Sequence, residues 1–363
     1  MVASTEAFPE IKPKTLVIAR PDDFASAVLA SAVLAPTRKA LPQTRIFLLI
    51  HAKYAPLYVD HPALDGIFTI SDDSTPEELA AHFKKQKVEA IAHLTFSQKV
   101  ADAAKLAGVP ISIAEKGEHD GSVSMEILRS KSDTTRHPAF RNFDLLCPFG
   151  VAAPEHPEIS LSVYRDAHRE IFGEIGKQYG LANQSDYAVF CLDSNRQGHP
   201  IAASVFSKTA EWLTRFAGMP IIVLGNPSHS ENFLRFSRNS HGAHIIDLRG
   251  KTSSAEDAWL IHNARVCLSG ENAYAYLAVA MNCPLIALFV DFSDEGWFPL
   301  GHLSTNIFTG AHRFPCEPEW LYNYRASRAF KIEKIASALR FSLALSDEEI
   351  NGTHEIVKSH KNP

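Results

Sequence analysis

The chain reads as an α/β protein in which two domains each build a parallel sheet covered by helices. Two observations predict this. Short apolar, β-branched runs alternate with helical patterns from Thr15 to Phe289, the signature of repeated strand–helix–strand units. At 363 residues the chain is long for a single core, and the acid- and Pro-bearing stretch Val151–Ser162 breaks the alternation near its middle, as a linker does. The expected division is residues 1–150, residues 151–330 and a C-terminal segment, 331–363.

In the first domain, Thr15–Ala19 is an unbroken apolar run of strand length, and Asp23–Leu41 follows as a helix with small residues on its face. Arg45–Ile50 is a second strand, Tyr54–His61 a short helix and Gly66–Ile70 a third strand. Thr75–Lys87 carries a full helix start: Thr75 as cap, Pro76 at the first helical position and the early acids Glu77 and Glu78. Ala90–Leu94 is a fourth strand, Phe96–Ala107 a helix stopped by Gly108 and Pro110, and Ile111–Ala114 a further strand. Glu115–Thr135 is polar and weakly periodic, so it is expected to be a loop, and His137–Leu146 is expected to be helical.

The second domain repeats the alternation. Tyr164–Tyr179 is its first helix, Tyr187–Leu192 a strand, Ile201–Phe216 a helix, Pro220–Leu224 a strand and Ser230–Asn239 a helix. His244–Asp247 is a short strand and Ser253–His262 a helix, while Val266–Leu268 and Leu285–Phe289 are strands flanking the Ala-rich helix Tyr274–Met281. Ile332–Leu345 is the C-terminal helix.

Composition narrows the partners. Hydrophobic residues at 45% and charged residues at 21% are ordinary for a soluble globular protein. A net charge of −5 without a basic stripe gives no footprint for nucleic acid. The 17 His are dispersed, with no ligand-spaced pair beside Cys or carboxylates, so no metal site is expected. Five widely spaced Cys, an odd number, read as reduced thiols of a cytoplasmic protein rather than a disulfide frame. Ala25–Pro36 is too short to span a bilayer, and Met1–Pro13 lacks a signal pattern. The expected location is therefore the cytoplasm, with at most peripheral membrane contact.

Four stretches carry candidate chemistry. Ile18–Leu29 holds Arg20, Asp22, Asp23 and Ser26 at the end of the first strand, where open α/β sheets place their sites. The acids have two readings, caps of the following helix or a base for a hydroxyl near Ser26. Leu192–Pro200 is a polar strand-to-helix loop with Ser194, Arg196 and Gln197, where Arg196 either offsets ligand charge or is solvated. Asp247–Glu256 contains Thr252 and Ser253, and Ser253 through Glu256 is a capping-box pattern. Leu268–Leu277 sets a polar turn before a small-residue helix, a geometry that aims N–H groups and a positive helix end at one spot, suited to phosphate. Tyr274 and Tyr276 there pack in the core, stack on a ligand or plug the pocket.

Taken with Leu224-Gly225-Asn226-Pro227 and Gly296-Trp297-Phe298-Pro299-Leu300-Gly301, this layout resembles the bacterial heptosyltransferases of glycosyltransferase family 9, from about Leu16 to Leu300. The family's opening motif, Arg-x-Asp-x-Ile-Gly-Asp, is matched at Arg20 and Asp22, with Phe24 for Ile, Ala25 for Gly and Ser26 for the Asp used as base. Its loop Lys falls at Gln197, beside Arg196. Its Leu-x-Gly-x-Thr-Ser-Leu-x-Glu is closely matched from Leu248 to Glu256. Where it carries Asp, Ser or Thr, Gly, Pro and His, this chain has Glu271, Asn272, Ala273, Tyr274 and Tyr276.

The resemblance implies a GT-B-like fold, two Rossmann-like domains facing across a cleft, with Glu115–Thr135 over it and the C-terminal helix crossing back to the first domain. It implies inverting transfer of a sugar from a nucleotide diphosphate donor to a saccharide or lipid-linked acceptor, with no cofactor and no metal. Asp22, Asp23 or Ser26 would serve as the catalytic group and Arg20 would lie on the acceptor side. Ser194, Arg196, Gln197, Thr252, Ser253, Glu271, Asn272, Ala273 and Tyr276 would face the donor. Because Ser26 cannot act as a base unaided, the competing expectation is a catalytically silent relative with a binding or scaffolding role.

Overall fold

A computed structural model describes residues 10–117, 123–127, 137–161, 177–178, 186–193, 201–228, 230–290, 299, 301, 303–308 and 326–343. The described residues form two compact units, one within residues 10–161 and the other within residues 177–343.

The first unit is a six-stranded sheet: β1 (Thr15–Arg20), β2 (Arg45–His51), β3 (Gly66–Ile70), β4 (Ala90–His93), β5 (Ile111–Glu115) and β6 (Met125–Ile127). Their order is β3-β2-β1-β4-β5-β6, and every pairing is parallel. Leu16, Val17, Ile18 and Ala19 have no exposed surface, which is why β1 is a continuous apolar run rather than an alternating one. The winding reverses between β1 and β4, where Ile18 pairs with Leu48 on one side and Ala92 on the other. In sheets of this winding, ligands bind outside the carboxyl ends of the strands at such a reversal.

Helices α1 (Phe24–Leu29), α2 (Leu34–Ala40), α3 (Pro76–Gln86), α4 (Gln98–Ala107) and α5 (Pro138–Asp144) belong to this unit. The expected helix Asp23–Leu41 is divided by a 3₁₀ turn at Ala30–Val33. Pro36 explains the division, because its ring displaces the carbonyl four residues earlier and it donates no backbone hydrogen bond. The predicted start of α3 is present in full: Glu78 N donates to Thr75 Oγ1 at 3.2 Å and Thr75 N to Glu78 Oε2 at 3.1 Å. Tyr54–His61 yields only a 3₁₀ turn, Ala55–Tyr58. The supposed loop Glu115–Thr135 contains β6, three residues paired with the end of β5 and too short to show a period.

The second unit has the same winding. Its strands are β7 (Ala188–Cys191), β8 (Ile221–Leu224), β9 (Ile245–Asp247), β10 (Val266–Gly270), β11 (Leu285–Phe289) and β12 (Ser304–Phe308), in the order β12-β11-β10-β7-β8-β9, all parallel. The reversal lies between β7 and β10. No strand is expected at β12 from sequence pattern, because Ser304, Thr305 and Asn306 spoil an apolar run at the end of the sheet order. Helices α6 (Ala203–Ala217), α7 (Ser230–Asn239), α8 (Ser254–His262), α9 (Ala273–Ala280) and α10 (Ile332–Leu343) complete it. The C-terminal helix α10, for which a crossing to the first domain was expected, buries Ile335, Leu339 and Leu343 in the core of the second unit, against α6 and the sheet. Tyr164–Tyr179 lies almost wholly outside the described residues.

Candidate functional site

At the reversal of the first sheet, Arg20 ends β1 and is 9% exposed. Its Nη1 donates to Leu94 O at 3.0 Å and to Asn142 Oδ1 at 2.9 Å, so β4 and α5 fix it. Its Nε stands 2.9 Å from Asp22 Oδ1, an ion pair without hydrogen-bond alignment. The other Asp22 oxygen accepts from Thr95 Oγ1 at 3.0 Å. Asp22 is thus committed to holding Arg20 and the end of β4.

Asp23 differs. It is exposed and is the N-cap of α1, with Oδ1 accepting from Ser26 N at 2.9 Å. Its Oδ2 accepts from Ser26 Oγ at 3.0 Å, and Ser26 is 3% exposed. The structure therefore brings an exposed carboxylate onto the Ser26 hydroxyl. Beside them Phe24 stacks on Tyr54, ring centroids 5.1 Å apart and planes 11° from parallel. Burial and then the charges of Asp23 and Asp22 push the Tyr54 hydroxyl above its ordinary titration range.

The second cluster lies at the reversal of the second sheet. Asp193 follows β7, and its carboxylate accepts from Asn226 N at 3.0 and 3.2 Å. Gly225 makes that approach possible: its φ is +133°, and a Cβ there would lie 2.6 Å from Asp193 Oδ1. Asn272 caps α9, accepting from Tyr274 N at 3.0 Å and from Ser269 Oγ at 2.9 Å. Ala273, in the place of the family's Gly, begins α9 without a left-handed φ, so the added methyl strains nothing in the backbone. Glu271 is half-buried in the turn before the cap, and Tyr276, at 3% exposure, has its ring inside the unit.

Ser253 caps α8 in a complete capping box with Glu256. Thr252 Oγ1 donates to Asp257 Oδ1, and Tyr274 Oη donates to Asp257 Oδ2 at 3.0 Å. Tyr274 is thereby pinned by its hydroxyl. Asp257 is 5% exposed. Burial raises its carboxyl to about 7, the two hydroxyl bonds pull it down, and the charges of Glu256 and Asp193 push it up again. Sequence reasoning missed Asp257, Asp193, Asn142 and Thr95. Asp257 did leave a signal, an acid directly beside Ala258 and in helical phase with Leu260 and Ile261 on a buried face. Ser194, Arg196 and Gln197 lie outside the described residues, as do Gly296–Phe298.

Cys191, Cys267 and Cys283 are buried thiols outside any disulfide. Among the described residues no three His, Cys, Asp or Glu side chains are grouped as a metal site, and no helix is long and apolar enough to cross a membrane.

The sequence profile of glycosyltransferase family 9 (heptosyltransferase) matches residues 77–320. The chain belongs to this family. A curated relative, lipopolysaccharide heptosyltransferase 3 of Escherichia coli, is 21% identical over 310 residues, covering 79% of this chain and 86% of the relative. Among solved structures, a glycosyl transferase family 9 protein from Veillonella parvula aligns with a TM-score of 0.75 at 16% identity, covering 92% of this chain and 98% of that one. The E. coli ADP-heptose lps heptosyltransferase II aligns with a TM-score of 0.74 at 17% identity, over 91% of this chain and 98% of that one. The two doubly wound units are those of a GT-B-type, family 9 glycosyltransferase.

Proposed function

We propose that this family 9 glycosyltransferase moves a heptose or related sugar from a nucleotide diphosphate donor to a lipopolysaccharide-core saccharide, with inversion and without a metal. The observation that carries the reading is the exposed Asp23 carboxylate bonded to Ser26 at the reversal of the first sheet. Asp23 takes the proton of the acceptor hydroxyl. The freed oxygen forms its bond to the anomeric carbon as the bond from that carbon to the diphosphate breaks on the opposite face. Asp22 keeps Arg20 in place on the acceptor side.

In the second unit, the N-terminal end of α9 favours the departing diphosphate through its dipole. Arg196, three residues beyond Asp193 in the sequence, supplies a positive charge. Thr252, Ser253, Glu271 and Asn272 line the donor side. The relatives' names carry ADP-heptose and lipopolysaccharide, so these are the first donor and acceptor to try. The protein acts in the cytoplasm, peripherally at the inner membrane where its acceptor is lipid-linked.

The test is to incubate the protein with ADP-heptose and truncated lipopolysaccharide cores and to follow transfer by mass spectrometry. Melting curves are recorded alongside with ADP, UDP, GDP and CDP. A nucleotide at a hundred times its Kd adds about 2.7 kcal/mol of stability. Transfer with a rise in melting temperature is expected. No shift with any nucleotide and no transfer would overturn the reading and leave a silent relative.

A further inference from the structure

Asp257 is the buried carboxylate that the family's motifs leave unexplained. Three segments meet on it. Thr252 donates from the loop before α8, Tyr274 donates from the first turn of α9, and Asp193 and Cys191 face it from the end of β7. Glu256 faces it from its own helix, while Lys251 on the Thr252 loop has its Nζ on Asp247 O. Tyr274 stands where the family carries Pro, which has no hydroxyl. With Pro there, Oδ2 of Asp257 would lose this donor, so the acid and the tyrosine form one unit.

We propose that Asp257 is a positioning residue of the donor site, which holds the Thr252 loop and the start of α9 in register and takes up a proton when a nucleotide diphosphate binds. This rests on the donor reading given above. A bound diphosphate adds negative charge beside α9, close to a carboxylate that already faces Asp193 and Glu256. Inside the unit that repulsion is poorly screened, and protonation relieves it. The neutral acid keeps both neighbours, because it donates to one hydroxyl while accepting from the other, and Thr and Tyr hydroxyls do both. Burial leaves the ligand-free carboxyl titrating at about 7, so near neutrality the proton is available to be taken up.

The experiment uses the intact protein and ADP as the probe. Binding is measured by calorimetry at pH 7 in two buffers of different ionisation enthalpy, and again at pH 6 and pH 8, for wild type, Asp257→Asn and Tyr274→Phe. Comparison with Asp257→Asn subtracts the titration of ADP itself. The wild type should take up a larger fraction of a proton than Asp257→Asn. If the ligand moves the carboxyl's titration by about one pH unit, wild-type affinity should fall about fivefold more than the variant's between pH 6 and 8. Tyr274→Phe removes a donor to the ionised form, so it should keep the uptake and move its midpoint to higher pH. Should Asp257→Asn bind too weakly to titrate, that midpoint shift decides. Equal proton counts in wild type and Asp257→Asn, or an unmoved midpoint in Tyr274→Phe, would overturn the inference alone. Absence of ADP binding by the wild type at every pH would overturn the donor reading and this inference with it.

Discussion

Replacing Asp23 by Asn removes the charge of one exposed side chain and leaves its shape. The side chain has two duties in the structure, capping α1 through Ser26 N at 2.9 Å and accepting from Ser26 Oγ at 3.0 Å. Asn caps a helix about as well as Asp, whereas Ala at an N-cap costs ~1 kcal/mol. The Asn oxygen keeps the bond from Ser26 N, and its NH₂ donates to Ser26 Oγ in place of the bond that is lost. Folding should therefore change by well under ~1 kcal/mol, a melting shift below about 4 °C for a unit of this size. Turnover should fall by ~10²–10⁴, the usual cost of a missing general base. Initial rates of sugar transfer, with melting curves on the same samples, separate the two effects. Asp22→Asn is the partner experiment: it leaves the buried Arg20 charge uncompensated, so it should lower stability through the ion pair rather than turnover alone. Full turnover in Asp23→Asn, with loss confined to a well-folded Asp22→Asn, would refute the assignment of the base.

Three further outcomes are expected. Gly225→Ala puts a methyl 2.6 Å from Asp193 Oδ1 at a φ of +133°, so chemical denaturation should show a loss of ~1–3 kcal/mol; an unchanged midpoint would mean the loop has room to move. Ser26→Asp restores the family's carboxylate against Asp23, and two carboxylates in contact cannot both ionise easily. It should raise turnover and shift the acid limb of its pH–rate profile upward, and a silent, unshifted variant contradicts this. Asp257 titrates at about 7 in the folded protein against an ordinary 3.8, so the folded state holds the extra proton between those values. Its contribution to stability is full below pH 4, declines as pH rises through 7 and is flat above. Asp257→Asn should remove this slope, at most about 4 kcal/mol across the range, as measured by urea melts at pH 5 and pH 8.

Most of the fold could be read from the sequence because parallel strands buried on both faces leave continuous apolar runs. Leu16–Ala19, Ile221–Leu224 and Leu285–Phe289 are of this kind. Signals written in local chemistry also carried through, such as the Thr75 and Ser253 capping boxes. What escaped was short or polar: β6 with three residues, and β12 with Ser, Thr and Asn in five. Both take their shape from a neighbouring strand, and pairing of that kind leaves no period in the sequence. The division of the first long helix was legible in principle from Pro36.

The site followed a different logic. Sequence comparison with the family's motifs locates departures that include Ser26, Asn272, Ala273 and Tyr274, and position by position they look like losses. In three dimensions these four are accommodated. Ser26 is bonded to the neighbouring carboxylate of Asp23. Asn272 caps α9, the part that a Ser or Thr hydroxyl plays elsewhere. Ala273 costs no backbone strain, and Tyr274, the bulkiest change, is held by the buried Asp257. Partners separated by three residues can be guessed from helical spacing. The 17-residue separation of Tyr274 and Asp257 cannot, because it depends on how α8 and α9 pack. The bonds at Ser26, Asn272 and Tyr274 show that these departures fit the fold, as buried polar groups of a folded protein generally do.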